Sequence, residues 1–166
     1  FRKAWQKIVD QKLSAGLIFE DDVSLDLETF NESLTSALKW INKYGYIQFQ
    51  VREIPKKSKI VVSNDSIQLL QPSPTLLRCS AQLVSFYTAK KLLDITNKFD
   101  RPVDTLIQSN WHTGINITSI NPSGVKDNTY ASGGSNLSLH MPLAKRLKQE
   151  YKRVKYRHSI KKYDKL

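Results

Sequence analysis

The chain has 166 residues, of which 40% are hydrophobic and 25% charged, and this composition excludes a disordered polypeptide and allows one domain with a core. A single cysteine, Cys79, excludes an internal disulfide framework and fits a reducing compartment. No apolar run approaches the ~18 residues of a membrane span. Because the chain begins at Phe1 rather than Met, we expect a processed form or a fragment of a longer protein.

The formal net charge of +11 is concentrated at one end of the chain. Ten Lys or Arg residues lie between Lys145 and Lys165, against Glu150 and Asp164 only, so this segment carries +8 of the total. The basicity is therefore a property of the tail. We predict a domain over residues 1–140 and a basic amphipathic helix or tail over 141–166.

Helical and strand patterns alternate along residues 1–140, which favours an α/β fold with a largely parallel sheet. The predicted helices cover residues 1–13, 25–44, 88–98 and 103–110. The predicted strands cover residues 17–19, 46–51, 60–62, 67–70, 76–86 and 116–120. Gly45 is expected to end the second helix, and residues 123–138 are expected to form a loop.

The most distinctive motif is the apolar run at 17–19 followed by Glu20, Asp21 and Asp22. If the strand continued, side-chain alternation would place Glu20 and Asp22 on one face and Asp21 on the other. Three adjacent carboxylates repel one another, and a hard divalent cation such as Mn²⁺ or Mg²⁺ would offset that repulsion. The alternative is a solvated acidic loop that stabilises the start of the following helix.

A second candidate is the segment from Asp100 to Asp104. Asp104 is predicted in the first turn of a helix that begins near Pro102, where a carboxylate also stabilises the helix dipole. Arg101 is placed to pair with a phosphate, or with Asp100 across the loop.

The tail repeats apolar residues with cations between them, a pattern typical of a basic amphipathic helix. An anionic membrane surface, a nucleic-acid arm and a solvated terminal helix are the three interpretations. The domain is nearly balanced in charge and has no nucleic-acid motif, so we do not expect a nucleic-acid partner.

Several stretches together resemble glycosyltransferase family 25, which includes bacterial lipooligosaccharide galactosyltransferases and collagen galactosyltransferases. Residues 17–23 resemble the central acidic signature of the family, and residues 101–104 resemble its Pro-Val-Asp element. Residues 1–8, 81–93 and 117–122 resemble its flanking helices and strands, and residues 132–135 its closing loop. The opening strand and the Ser-His segment of the family would lie upstream of Phe1.

The resemblance implies a GT-A-like, Rossmann-like α/β fold and an inverting transfer of sugar, with UDP-galactose as the expected donor. It implies that Asp22 and Glu20 hold Mn²⁺ or Mg²⁺, that Glu20, Asp21 and Arg101 contact the nucleotide sugar, and that Asp104 acts as the catalytic base. The expected acceptor is an oligosaccharide or lipid-linked saccharide, with Trp111 and Tyr130 as candidate sugar-stacking rings. The expected location is the cytoplasmic side of the inner membrane. The alternative is a fragment or degenerate copy that binds without turnover.

Overall fold

The computed structural model describes residues 1–64, 66–98, 101–128, 150–151, 154–156, 158–160 and 162–163. The helices in this part of the chain are α1 (Arg2–Asp10), α2 (Leu27–Tyr44), α3 (Phe86–Ile95), α4 (Val103–Gln108) and α5 (Asn110–Thr113). The strands are β1 (Ala15–Phe19), β2 (Val23–Leu25), β3 (Tyr46–Phe49), β4 (Lys59–Asn64), β5 (Ile67–Gln71), β6 (Ala81–Ser85), β7 (Thr118–Asn121) and β8 (Val125–Asp127). The described residues of 150–163 are helical.

Six of these strands form one sheet in the order β1-β6-β3-β7-β5-β4, while β2 and β8 form a separate antiparallel pair. The expected α/β class is confirmed, but the expectation of a largely parallel sheet is wrong. Within the described sheet only β3 and β7 pair in parallel. The reason is that β4 and β5 form a local hairpin, and β6 enters between β1 and β3 antiparallel to both.

Both faces of the sheet are covered by helices because neighbouring residues of the central strands point to opposite sides. On one face, α2 packs against Ile47 and Leu83. On the other, α1, α3 and α4 pack against Tyr46 and Val84, with Trp5 of α1 fully buried in that cluster. The sheet is therefore a central layer whose strand ends are left to carry polar groups.

Gly45 ends α2 as expected, with a φ of +74° that a residue bearing a Cβ adopts only at a cost. A Cβ at this position would also lie 2.5 Å from the Thr88 hydroxyl. The chain can thus turn directly from α2 into β3, which places β3 beside β6.

The predicted loop over residues 123–138 contains a strand, β8, which pairs with β2 in the register Val23 to Asp127. Residues 129–138, with Tyr130 and the 132–135 motif, lie outside the described part of the chain, as do Asp100 and residues 141–149. The short β2–β8 pair matters because it borders the acidic cluster.

Candidate active site at the end of the first strand

Strand β1 ends at Phe19, so the acidic residues lie beyond the strand rather than along it, and the expected strand alternation does not apply to them. Glu20 follows directly, and Asp21 and Asp22 form a turn. Asp21 is exposed, whereas Glu20 and Asp22 are half-buried. The turn therefore separates Asp21 from its two neighbours in exposure, as the sequence suggested, but by a different backbone geometry.

The acidic turn is held at both ends by backbone hydrogen bonds. The N–H of Glu20 donates to the carbonyl of Ser80, 2.8 Å away, just before β6. At the other end, the N–H of Asn128 donates to the carbonyl of Asp22 at 2.7 Å, just after β8. Two strands distant in sequence thus fix where the carboxylates lie.

The electrostatics of Glu20 identify its neighbours. Its pKa is raised, first by burial, then by the negative charge of Asp22, with a smaller contribution from Asp104. A hydrogen bond with the Ser80 side chain and the positive charge of Arg78 oppose the rise. The fold therefore brings Asp104 into electrostatic range of an acidic turn that lies more than eighty residues earlier in the chain.

Asp104 lies in the first turn of α4, as predicted, and is half-buried. Its Oδ1 accepts a hydrogen bond from the backbone N–H of Thr105 at 2.7 Å and another from the Thr105 hydroxyl at 3.3 Å. Pro102 is the N-cap of this helix rather than its first residue. These bonds set the orientation of the carboxylate on the helix.

A buried polar layer lies behind the carboxylates. The Tyr46 hydroxyl donates to Oε1 of Gln82 at 2.6 Å and lies 3.9 Å from the sulfur of Cys79. Burial is the main reason that the pKa of Cys79 rises to about 12; the negative charges of Asp104 and Glu20 add to the rise, and the hydrogen bond with Tyr46 opposes it. Cys79 is a buried thiol, 2% exposed.

Arg78 is a member of this neighbourhood that sequence reasoning missed. It forms an ion pair with Asp127 of β8, and its backbone φ is +84°. A left-handed φ at a residue other than glycine is uncommon and leaves no reliable trace in a single sequence.

Residues 2–107 match the family described as glycosyltransferase family 25 (LPS biosynthesis protein). The chain belongs to glycosyltransferase family 25. No curated protein matches this chain.

The family 25 match contains the residues predicted to hold the metal, contact the nucleotide sugar or act as the base: Glu20, Asp21, Asp22, Arg101 and Asp104. The candidate stacking residues Trp111 and Tyr130 lie beyond it. It ends within α4, before β7, β8 and the tail. Membership supports a glycosyltransferase of lipopolysaccharide biosynthesis. The role of each residue in that reaction stays a prediction.

Arg101 lies on the tail side of α4. It is half-buried, and its positive charge lowers the pKa of the Tyr156 hydroxyl, which burial and Asp104 raise. Tyr156 contacts Oε1 of Gln108 and donates to the carbonyl of Thr105 at 3.4 Å. A residue beyond the family 25 match therefore packs against the helix that carries Asp104.

Trp111 also faces the tail. Its ring stacks on that of Tyr163, with ring centres 5.5 Å apart and an angle of 22° between planes. One face of the indole is thus covered by this chain, which leaves the proposed sugar-stacking role without support from the described contacts.

The carboxylates suit a hard cation in their chemistry but do not form a complete metal site by themselves. Within the described residues, no group of three or more His, Cys, Asp or Glu side chains is arranged to hold a metal ion. Mg²⁺ is usually bound by one or two carboxylates together with substrate phosphates and water. The pair of Glu20 and Asp22 would fit that mode of binding, in which substrate phosphates and water complete the coordination.

Proposed function

We propose that this family 25 protein transfers galactose from UDP-galactose to a saccharide acceptor in lipopolysaccharide or lipooligosaccharide synthesis, with inversion of configuration and with the aid of a divalent cation. The observation that carries the proposal is the convergence of Asp104 with Glu20 and Asp22 at the end of β1. A GT-A-like arrangement of the sheet is part of the same proposal.

Asp22 and Glu20 would hold Mn²⁺ or Mg²⁺ against the donor diphosphate. When bound, the cation supplies neutralisation of the negative charge that develops on the leaving group. Asp21, the exposed member of the turn, and Glu20 would contact the nucleotide sugar, and Arg101 would pair with a phosphate.

Asp104 is proposed as the base. The acceptor hydroxyl oxygen bonds to the anomeric carbon, the bond from that carbon to the diphosphate oxygen breaks, and UDP leaves with the electron pair. The acceptor proton passes to the Asp104 carboxylate. The hydrogen bonds from Thr105 to Oδ1 orient that carboxylate for the transfer.

The tail is proposed to hold the protein against an anionic leaflet near a lipid-linked acceptor. No helix in the described part of the chain is long and apolar enough to cross a bilayer. Peripheral attachment through the cations of 141–166 is consistent with the charge distribution.

The first test is calorimetric titration of UDP in the presence of Mn²⁺ and then of EDTA. We expect binding that requires Mn²⁺ and that weakens at least about tenfold in Asp22→Ala. Asp10→Ala removes an exposed carboxylate at the end of α1, before the opposite end of β1, and serves as the matched control. A UDP affinity that is unchanged by EDTA and by Asp22→Ala would overturn the metal and diphosphate assignment.

The second test separates catalysis from binding. Asp104→Asn should keep Mn²⁺-dependent UDP binding but lose about a hundredfold or more of the turnover of UDP-galactose, because the acceptor proton has no base. Nucleotide binding by the unaltered chain, without turnover of any saccharide acceptor tried, would instead favour the non-catalytic binding module.

A further inference from the structure

The two supports of the acidic turn are connected to each other by one ion pair. Ser80, which accepts from Glu20, lies two residues after Arg78. Asn128, which donates to Asp22, lies one residue after Asp127. Arg78 and Asp127 form an ion pair, so their contact closes a ring around the turn.

The backbone at Arg78 is held in an uncommon conformation by the centre of the sheet. The Arg78 carbonyl accepts a hydrogen bond from the Gln48 side-chain amide of β3 at 2.9 Å. Gln48 is 2% exposed, so this anchor does not move freely with the surface. A left-handed φ of +84° persists only where surrounding contacts determine it, and such residues cluster at functional sites.

The Arg78–Asp127 ion pair is partly shielded from solvent, which strengthens its contribution. The Arg78 and Asp127 side chains are 30% and 26% exposed, unlike the solvated pair between Lys126 and Asp26, at 71% and 45%. Arg78 therefore acts on the turn through Asp127, whose neighbour Asn128 donates to the carbonyl of Asp22.

We propose that Arg78 is a positioning residue for the donor site: through Asp127 it fixes the spacing of Glu20 and Asp22 by locking the β6 support to the β8 support. This assignment rests on the proposed function for its consequence in catalysis. The clamp, meaning the Arg78–Asp127 ion pair together with the Glu20–Ser80 and Asn128–Asp22 backbone hydrogen bonds, is a property of the protein without ligand.

The decisive variant is Arg78→Gly, because glycine removes the guanidinium and accepts the positive φ. Lys12→Gly is the matched control, since Lys12 is exposed, has a φ of +51° and lies before the opposite end of β1. Asp127→Asn tests the partner separately. Arg78→Lys keeps a positive charge but not the planar guanidinium, so it should be less disruptive than Arg78→Gly.

The first readout is amide hydrogen exchange of Glu20 and Asn128, the two donors that hold the turn. We expect exchange at Asn128 at least about fivefold faster in Arg78→Gly and Asp127→Asn, with no change in Lys12→Gly. The double variant should be no worse than either single variant, since both remove one interaction. Unchanged exchange overturns the clamp, whether or not the protein binds nucleotide.

The second readout is the affinity for UDP with Mn²⁺ and the KM for the donor. In Arg78→Gly we expect the affinity for UDP to fall about tenfold and the KM to rise about tenfold. This is the usual effect of removing an outer partner of a metal-binding carboxylate. Faster exchange with unchanged affinity would overturn the positioning role. Faster exchange in a protein that never binds UDP would leave the clamp standing and refute the proposed function instead.

Discussion

Hydrogen bonds hold Glu20 in position, whereas burial and neighbouring carboxylates oppose its ionisation. Its N–H and side chain are both bonded to Ser80, yet burial and the nearby carboxylates raise its pKa above the usual 4.5. Because the folded state then holds this proton more tightly than the unfolded state, ionisation of Glu20 destabilises the fold above its folded pKa. The penalty disappears as the pH falls below the unfolded value.

Glu20→Gln should therefore stabilise the metal-free protein at neutral pH. We expect a gain below about 1 kcal/mol, because the carboxylate is partly solvated. The gain should be largely lost at pH 4, where the Glu20 carboxyl is mostly protonated in both the folded and the unfolded state. Urea denaturation of both proteins at pH 7 and pH 4 measures it; an equal difference at the two pH values would contradict the charge-based explanation.

Cys79 should be unreactive in the native protein. With a pKa of about 12, its thiolate fraction at pH 8 is on the order of 10⁻⁴, against roughly a quarter for a free cysteine. We expect iodoacetamide labelling, followed by mass spectrometry, to be at least about a thousandfold slower in the native state than in urea. Rapid native labelling would show that the layer behind the carboxylates is open to solvent.

At the residue scale, the sequence identified the carboxylates but not their supports. Three consecutive acids after an apolar run are visible in any single sequence. Arg78 is one of 26 Lys or Arg residues, and its importance comes from a backbone angle and a partner 49 positions away. Neither is encoded in local pattern, so tertiary structure was needed to find it.

At the level of elements, the helix-period segments were predicted best and the short strands worst. The span of α2, to within two residues, and its ending at Gly45 were correctly expected, because a long amphipathic pattern is distinctive. Leu27 and Leu38 of that helix are nevertheless exposed. The three-residue strand β8 was taken for loop, since three residues give no periodicity. Its pairing with β2 depends on contacts made over a hundred residues apart in the chain.

The docking of the tail on α4 and α5 gives an element-scale prediction. Trp111→Ala removes the aromatic stack with Tyr163, an interaction of about 0.5–1.5 kcal/mol. Trypsin cleavage within residues 150–163 should then be about two- to tenfold faster, while the thermal unfolding temperature of the domain changes little. Mass spectrometry of the digest over time measures the cleavage rate.

Tyr87→Ala is the control for that experiment, because Tyr87 is an aromatic residue of α3 that is 82% exposed. Its removal should leave cleavage of the tail unchanged. Equal cleavage rates in the two variants would mean that the Trp111 stack does not hold the tail.

For the whole molecule, the α/β class followed from alternating patterns but the strand directions did not. Alternation of helices and strands is compatible with several sheet orders, and the order β1-β6-β3-β7-β5-β4 is decided by which apolar faces pack together. The family resemblance anticipated the match over residues 2–107, because its motifs occur in the right order along the chain. The likeness seen at residues 117–122 and 132–135 lies outside that match.

The uneven charge of the whole chain predicts selective membrane binding. The full chain should bind vesicles that contain anionic lipid but not neutral vesicles, and binding should be lost at high salt. Neutralising Lys161, Lys162 and Lys165 to Gln should weaken binding roughly a hundredfold, at about 1 kcal/mol per cation. Vesicle sedimentation measures this.

The control neutralises Lys56, Lys57 and Lys59, three exposed cations of the segment before β4 and its first residue. If the tail is the membrane contact, this change of equal charge should have a much smaller effect. Equal losses in the two triple variants would assign the binding to net charge alone.

The stack of Trp111 on Tyr163 also makes the protein its own optical reporter. The chain has three tryptophans, and they lie in different settings: Trp5 is fully buried, Trp40 is half-buried on α2, and Trp111 meets the tail. Replacing Trp5 and Trp40 by Phe would leave a single indole at the tail contact. The fluorescence emission of Trp111 should move to longer wavelength when the tail separates from α5. Release of the tail on a vesicle could then be followed by fluorescence while the domain stays folded.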